Sequence, residues 1–593
     1  MTQPFQPADR AVRSRSPWPD AVAAILLVAV VSCIYGPRLA RLPIVGEESR
    51  WATAARAMLA TGDWVVPRQQ GQVFSERPPM TVWAMAVAGG YRGEVDAIAI
   101  RLPSVVAVVL TSLLVYVYTH SLVSRLAGLV AALVYATFGQ VLQIGRMGES
   151  EAVFTLWVSA SLLLWHLGYT RRWSPLATWS IGFGCAAVAA LAKGPQAPVY
   201  FVAITAVYLM VRRDWRYLVR WQYAAGAIVF AAIVAAWQVP FYLATDLETT
   251  LATWAGLTTD RIHWSGLVKH VASYPLETFA ALLPWSPLLV ALASRQTRRL
   301  LADQTPLVSF SIVAVAVSYP TVWFVAGAEP RYFMPLYPLV AVLIGLVIER
   351  CSTADPGRYP RRAWHQFLLL SGSLTAACGL ALAAAGLAPT DWAQQLHQPR
   401  WFCLAFATLA AAAVFTLWRC YRRPRQLAPM IAVLTVGVMV GVAYTGLAIN
   451  RSAGRWNDPT RLVAEFKAHV AGPTSLASLT PIDHRFAYYY DTPIVELDWP
   501  RTVDDLPANV EYFCFMRNPG DTAERRAAGR GRAWATTPGT LPFAWQEVMS
   551  ICVERRIRGG PQRAVVLGRV VRPLQATISD ATIATRPPTA DSR

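Results

Sequence analysis

The chain has 593 residues, 55% of them hydrophobic and only 15% charged, with a net charge of +19. Soluble domains carry about 25% charged residues, so this composition excludes an ordinary soluble fold. The positive charge is not that of a nucleic-acid binder, because the arginines sit in short clusters between apolar runs, the pattern of cytoplasmic loops.

The apolar runs are roughly 17 to 24 residues long, enough to cross a hydrocarbon core as helices. In chain order they lie near residues 19–37, 102–122, 126–145, 151–168, 175–193, 196–211, 222–244, 276–294, 306–327, 331–349, 365–388, 401–418 and 427–448. The fold class is therefore an α-helical polytopic membrane protein of about 13 transmembrane helices. Residues 1–18 form a cytoplasmic arm. Arg10, Arg13 and Arg15 precede the first apolar run as in a signal peptide, but Cys33–Pro37 lacks a small-residue cleavage site, so the run is expected to stay as an anchor.

With the arm inside, every loop rich in arginine falls on one side. These are the loops holding Arg171–Arg172, Arg212–Arg220, Arg295–Arg299, Arg350–Arg362 and Arg419–Arg425. The expected topology has the loops at about 38–101, 146–151 and 245–275 external. The apolar segment Pro79–Gly90 is too short to span and reads as an interfacial helix. Residues 449–575 read as a small external α/β domain. It has an amphipathic helix at Asp458–Val470 and strand signals at Ser478–Leu479, Ile494–Leu497, Glu511–Met516, Val548–Val553 and Ala564–Val571. Residues 576–593 read as a disordered tail. None of the eight cysteines shows metal-ligand spacing; Cys514 and Cys552 could pair in an oxidising compartment, but nothing in the sequence fixes their distance.

The chemistry-bearing residues gather on the external side. The first loop supplies Glu47, Glu48, Arg50, Arg56, Glu76 and Arg77; the second Arg146, Glu149 and Glu151. Lys193 ends one span. Asp246, Asp260, Arg261, His263, Lys269 and His270 occupy the long loop, and Glu329, Arg331 and Tyr332 open the tenth span. A carboxylate that takes a hydroxyl proton and cations that steady a departing phosphate are what lipid-phosphate sugar transfer needs. Trp51, Trp64, Tyr91 and Trp285 suit sugar faces or the membrane interface. Each residue also has an ordinary reading. Glu149 and Glu151 suit a helix start, Lys193 a snorkelling helix end, and Glu329 and Arg331 a local pair. The histidines are spaced too loosely for a helical metal pair.

In order, Gly46–Trp51 with Arg56–Leu59, Gly62-Asp63-Trp64, Phe74–Pro79 with Trp83, Arg101–Ser104, Lys193-Gly194-Pro195, Leu283-Pro284-Trp285 and Arg331-Tyr332 with Pro335–Pro338 form a recurring set. The set resembles the polytopic glycosyltransferases of the C superfold. It is most similar to the bacterial aminoarabinose (lipid A) transferases and the dolichyl-phosphate-mannose-protein mannosyltransferases. The motifs cover about residues 20–350. Where the family has Asp, this chain has Glu47; five residues after Arg146 it has Glu151, again in place of Asp; and Arg77 stands for the family's lysine before two prolines.

The resemblance implies a polyprenyl-phosphate-sugar donor and an envelope glycolipid or protein acceptor. It implies catalysis by Glu47, with Glu48 and Glu151 sharing or orienting. Arg56, Arg77, Lys193 and Arg261 would hold the donor phosphate, with Glu76, Arg331 and Tyr332 in support, and the anomeric centre would invert. Some relatives bind a divalent metal near the positions of Glu76 and His270; this sequence neither demands nor excludes one. Alternatives are an oligosaccharyl transferase or polymer ligase using a diphosphate donor, a lipid or solute transporter, and an inactive structural relative. Against the transporter stand the lack of an internal repeat and the placement of charges at span ends.

Overall fold

The computed structural model describes residues 18–44, 46–255, 266–352, 357–388, 398–423, 426–449 and 459–470, and most of 476–571 outside 518–540 and 555–562. The arm before residue 18, Asp260, Arg261 and His263, and the expected tail lie outside the described residues. The chain divides into two compact units, Met1–Asp458 and Pro459–Arg593.

The first unit is helical. In order it contains α1 (Trp18–Tyr35), α2 (Glu48–Thr61), the hairpin β1 (Arg68–Gln69) and β2 (Gln72–Val73), α3 (Met80–Arg92), α4 (Ala97–Leu122), α5 (Arg125–Ala136) and α6 (Gly139–Ile144). Next come α7 (Ser150–Thr170), α8 (Pro175–Lys193), α9 (Gln196–Val211), α10 (Trp221–Ala244), α11 (Leu247–Ala255), α12 (Leu267–Ala281) and α13 (Arg295–Leu300). The unit closes with α14 (Thr305–Ser318), α15 (Pro320–Trp323), α16 (Tyr337–Ser352), α17 (Arg358–Leu387), α18 (Arg400–Arg422) and α19 (Ala428–Ala443). Among the described residues, nine helical stretches are long and apolar enough to cross a membrane, or ten if one bent pair counts as a span. The chain is a multi-pass membrane protein.

Four of the thirteen expected segments take other forms. Those near 19–37 and 196–211 are shorter apolar helices. The segment at 126–145 breaks after Ala136. There the Thr137 hydroxyl accepts from Trp285 Nε1 at 2.9 Å and Gly139 N–H donates to Leu283 O at 2.8 Å, so long-range bonds replace helical ones. The segment at 276–294 splits into α12 and a 3₁₀ turn at Ser286–Ala293, bent by 112°. Pro284 and Pro287 lack the N–H groups that a continuous helix needs.

Contacts between these helices depend on shape, since lipid is as apolar as the side chains. Gly345 on α16 shows it: a Cβ there would lie 2.7 Å from the Ala131 Cβ and 3.0 Å from the Ala131 backbone on α5. Rings fill the layer between α7, α8 and α9, where Trp165, Trp179 and Phe201 meet within 6.4 Å centroid to centroid.

The second unit holds α20 (Thr460–His469), β3 (Ala477–Ser478), α21 (His484–Tyr490), β4 (Val495–Glu496), β5 (Tyr512–Arg517), β6 (Trp545–Glu554) and β7 (Arg563–Val570). The sheet order is β4-β3-β5-β7-β6, parallel across β4, β3 and β5 and antiparallel thereafter. Alternation sorts the sheet's faces. Cys514 and Met516 join Phe466, Phe486 and Tyr490 in one cluster, while Phe513 and Phe515 join Leu479 and Val566 in another. All cysteines are free among the described residues. β7 lies between the strands of Cys514 and Cys552, and their partners on it, Leu567 and Ala564, are three residues apart, which separates the cysteines by about 14 Å, beyond the reach of a disulfide.

Gly345→Val should lower stability by about 1–3 kcal/mol, read as a lower thermal unfolding midpoint in detergent. Gly372→Val should not, since a Cβ there meets nothing within 4 Å. Equal midpoints for the two variants would show that the α5–α16 approach is not tight.

Candidate active site at the helix ends

α2 begins at a turn that sends two adjacent acids different ways. Gly46 has φ +57°, a conformation open to glycine. The Glu47 carbonyl then accepts from Arg50 N–H at 3.1 Å and starts the helix. Adjacent helical residues point about 100° apart. Glu48 is consequently buried and Glu47 is half exposed.

Glu48 is held on every side. Arg101 Nε donates to its Oε1 at 2.7 Å and Nη2 to its Oε2 at 2.8 Å, while Gly148 N–H donates to Oε1 at 2.7 Å. Arg101 spends its remaining donors on the carbonyls of Leu39, Leu42 and Pro43 at 2.6 to 3.0 Å. The approach needs glycine at 148, where a Cβ would sit 2.2 Å from Ile100 Cγ2 and 3.0 Å from Ile100 O. This corrects the expectation of a catalytic Glu48: its oxygens face protein donors, an anchoring geometry.

Gly148 leads into a second cluster, where α7, α8 and the segment before α16 meet. Lys193 Nζ is 2.8 Å from Glu151 Oε1, both buried. Arg331 spans three carboxylates: Glu149 at 2.5 Å, Glu329 at 2.8 Å and Glu151 at 3.9 Å. The Tyr332 ring lies 4.8 Å from Lys193 Nζ and 5.7 Å from the Arg331 guanidinium. Arg77 is close enough to Lys193 for their charges to repel. Burial, then the neighbouring Glu151 carboxylate, pushes the Glu149 carboxyl above its ordinary range, against the pull of Arg331. Glu149 stands at the start of α7 but makes no side-chain cap bond, so its capping role gives way to the pair with Arg331.

Glu47 faces another network. Arg50 lies 3.6 Å from Glu47 and in short contact with Glu76, and all three are partly open to solvent. Arg56 is half-buried and donates to the Val95 carbonyl at 3.5 Å. His270 Nε2 lies 3.3 Å from the Val322 carbonyl. No group of three or more His, Cys, Asp or Glu gathers to hold a metal among the described residues. The aromatic expectations separate: Trp64 and Tyr91 are exposed, but Trp51 packs edge-on to Phe74 and Trp285 is buried against Phe367. These last two are core residues and no sugar platform.

In the sequence Arg101 stands only within a motif, and Glu149 is one of the loop candidates, with a helix start as its ordinary reading. Their signals were an arginine inside an apolar helix and a carboxylate two residues before Glu151. Arg146, which sets the spacing to Glu151, donates to the carbonyls of Ile34 and Pro37 and to Thr445 Oγ1.

Residues 76–238 match the family model of dolichyl-phosphate-mannose-protein mannosyltransferases. The undecaprenyl phosphate-α-4-amino-4-deoxy-L-arabinose arabinosyl transferase of Pseudomonas aeruginosa (strain LESB58) is 33% identical over 173 residues, 28% of this chain and 31% of that protein. The chain thus matches about a third of that relative's length. The transferase of the same name from Pseudomonas paraeruginosa is 29% identical over 73% of this chain and 77% of its own. The crystal structure of ArnT from Cupriavidus metallidurans in the apo state superposes with a TM-score of 0.66, covering 93% of this chain and 98% of that one, at 17% identity.

Arg101→Met should cost about 3–5 kcal/mol by leaving Glu48 buried without its partner. Glu48→Leu with Arg101→Met should recover most of that loss. Thermal unfolding of both variants in detergent checks this, and an Arg101→Met protein as stable as the parent would remove the clasp from the account. In fold the chain resembles ArnT, and over residues 76–238 its sequence resembles the dolichyl-phosphate-mannose-protein mannosyltransferases.

Proposed function

We propose that the protein is a membrane glycosyltransferase. It moves a sugar from a polyprenyl-phosphate donor to an envelope acceptor at the outer face of the inner membrane. The observation that carries this reading is the array of Lys193, Arg331 and their carboxylates at the ends of membrane helices, joined through Gly148 and Glu48 to the exposed Glu47. Cations so placed, in a site of low dielectric, suit a phosphate carried by a lipid. The similar arabinosyl transferases carry a polyprenyl phosphate in their names.

Glu47 is the base in this reading. Its carboxylate takes the acceptor hydroxyl's proton as the oxygen bonds to the anomeric carbon. The carbon–oxygen bond to phosphate breaks, its electron pair leaves with the polyprenyl phosphate, and the centre inverts. Lys193 and Arg331, with Arg77 nearby, stabilise the departing phosphate. Glu151 holds the Lys193 ammonium and Glu149 the Arg331 guanidinium, so both act as positioning residues. Glu48 does the same for Glu47 through the backbone. Arg56 and Arg261 remain donor-binding candidates, and Tyr332 flanks both cations. The second unit is assigned to the external side, where its sheet would help select the acceptor.

Mass spectrometry of lipids, glycolipids and envelope proteins from cells with and without the chain tests the reading. A sugar-sized mass should vanish from one component in the deletion and in a Glu47→Gln strain. With purified protein, Glu47→Gln should lower turnover about 10²–10⁴-fold while donor-lipid affinity is kept. Full activity in that variant would remove Glu47 as the base. Lys193→Ala should weaken donor-lipid affinity as well as turnover; unchanged affinity would count against its contact with phosphate.

A further inference from the structure

The start of α17 and the end of α18 border an open cavity of 560 Å³, apart from the candidate active site. Arg361, Arg362, His365 and Leu369 line it from α17 and Tyr421 from α18. It lies at the Ser352 end of the Pro330–Ser352 span, whereas Arg331 and the candidate active site lie at the other end.

The wall is graded along the helix. Arg361 and Arg362 are exposed in the first turn and a half. One turn further, His365 meets the Tyr421 ring with centroids 4.8 Å apart. A turn beyond, Leu369 is exposed, followed by exposed Leu370 and Leu374. Positions four apart share a helix face, so cation, aromatic and aliphatic groups follow one another over about 12 Å.

Neighbouring elements extend the positive end. Arg419 and Arg422 of α18 lie over the exposed rings of Phe415 and Trp418 at 5.8 and 5.9 Å. Such rings and arginines mark a headgroup boundary. Tyr359 N–H donates to Gln296 Oε1 at 3.2 Å, which brings exposed Arg295, Arg298 and Arg299 of α13 to the same end.

The order of groups is that of a phospholipid: phosphate at the arginines, glycerol beside the rings, acyl chain along the leucines. A free anion would use only the first part, and a zwitterionic headgroup would bring its own cation towards the arginines. We propose that this cavity binds one anionic phospholipid, its phosphate held by Arg361 and Arg362 and its acyl chain lying along Leu369.

Native mass spectrometry of the full-length protein in mild detergent, with phosphatidylglycerol or phosphatidylcholine added at equal concentration, tests the site. The parent protein should retain phosphatidylglycerol in preference. Arg361→Gln with Arg362→Gln should lower that retention about tenfold. Arg212→Gln with Arg213→Gln, which removes the same charge from another loop, should leave it unchanged. Leu369→Glu should also lower it with the arginines intact, which keeps the test open if the double variant does not fold. Equal retention of the two lipids by the parent overturns the proposal. So does equal loss from both arginine pairs, or full displacement of the lipid by millimolar inorganic phosphate.

Discussion

The buried pair of Glu48 and Arg101 is the constraint on which the candidate active site of the membrane unit rests. Taking two charges out of water is costly, and the cost is met only when every donor and acceptor finds a partner. Here the carboxylate receives a two-pronged guanidinium and a backbone N–H, and the guanidinium reaches three carbonyls. Four stretches of chain meet at this one contact: residues 39–43, the start of α2, the start of α4 and the turn before α7. The contact gives Glu47 its outward direction and brings Glu149 near.

Around the second cluster the charges are interleaved. Lys193 and Arg331 face Glu149, Glu151 and Glu329, and the Tyr332 ring flanks both cations. In a water-poor site each such pair is stronger than at a surface, and an unmatched member costs more. The arrangement gives each of the two cations a carboxylate partner. Arg331 serves three carboxylates, one of them on the exposed Glu329.

The apolar helices were legible because a run long enough to cross a bilayer is a strong signal in a single sequence. The strands of the second unit were legible from alternation, and each of the five strand signals overlaps an observed strand. The break after Ala136 was not, because its cause is bonds to a segment distant in sequence, whereas the break after Ala281 has a local cause in Pro284 and Pro287. The site was legible as a group and not as a geometry. Nothing local says which of Glu47 and Glu48 turns inward, since the partner Arg101 lies 53 residues on. Glu149 looked like a cap because its partner Arg331 is 182 residues away. Trp51 and Trp285 looked available for sugars because composition does not reveal which aromatic rings are packed.

Arg146 has a consequence for the order in which the membrane unit is made. Its Nη1 donates to the carbonyl of Pro37, just past α1, and its Nη2 to the carbonyl of Ile34 in the last turn of α1 and to the hydroxyl of Thr445, 299 residues further along the chain. A ribosome completes α1 and the turn at Arg146 long before it reaches Thr445. Until then Nη2 has the Ile34 carbonyl alone, and its second hydrogen is left to water or a lipid headgroup. The final apolar helix therefore closes a contact opened by the first, and a chain interrupted before residue 445 lacks the hydroxyl that completes it.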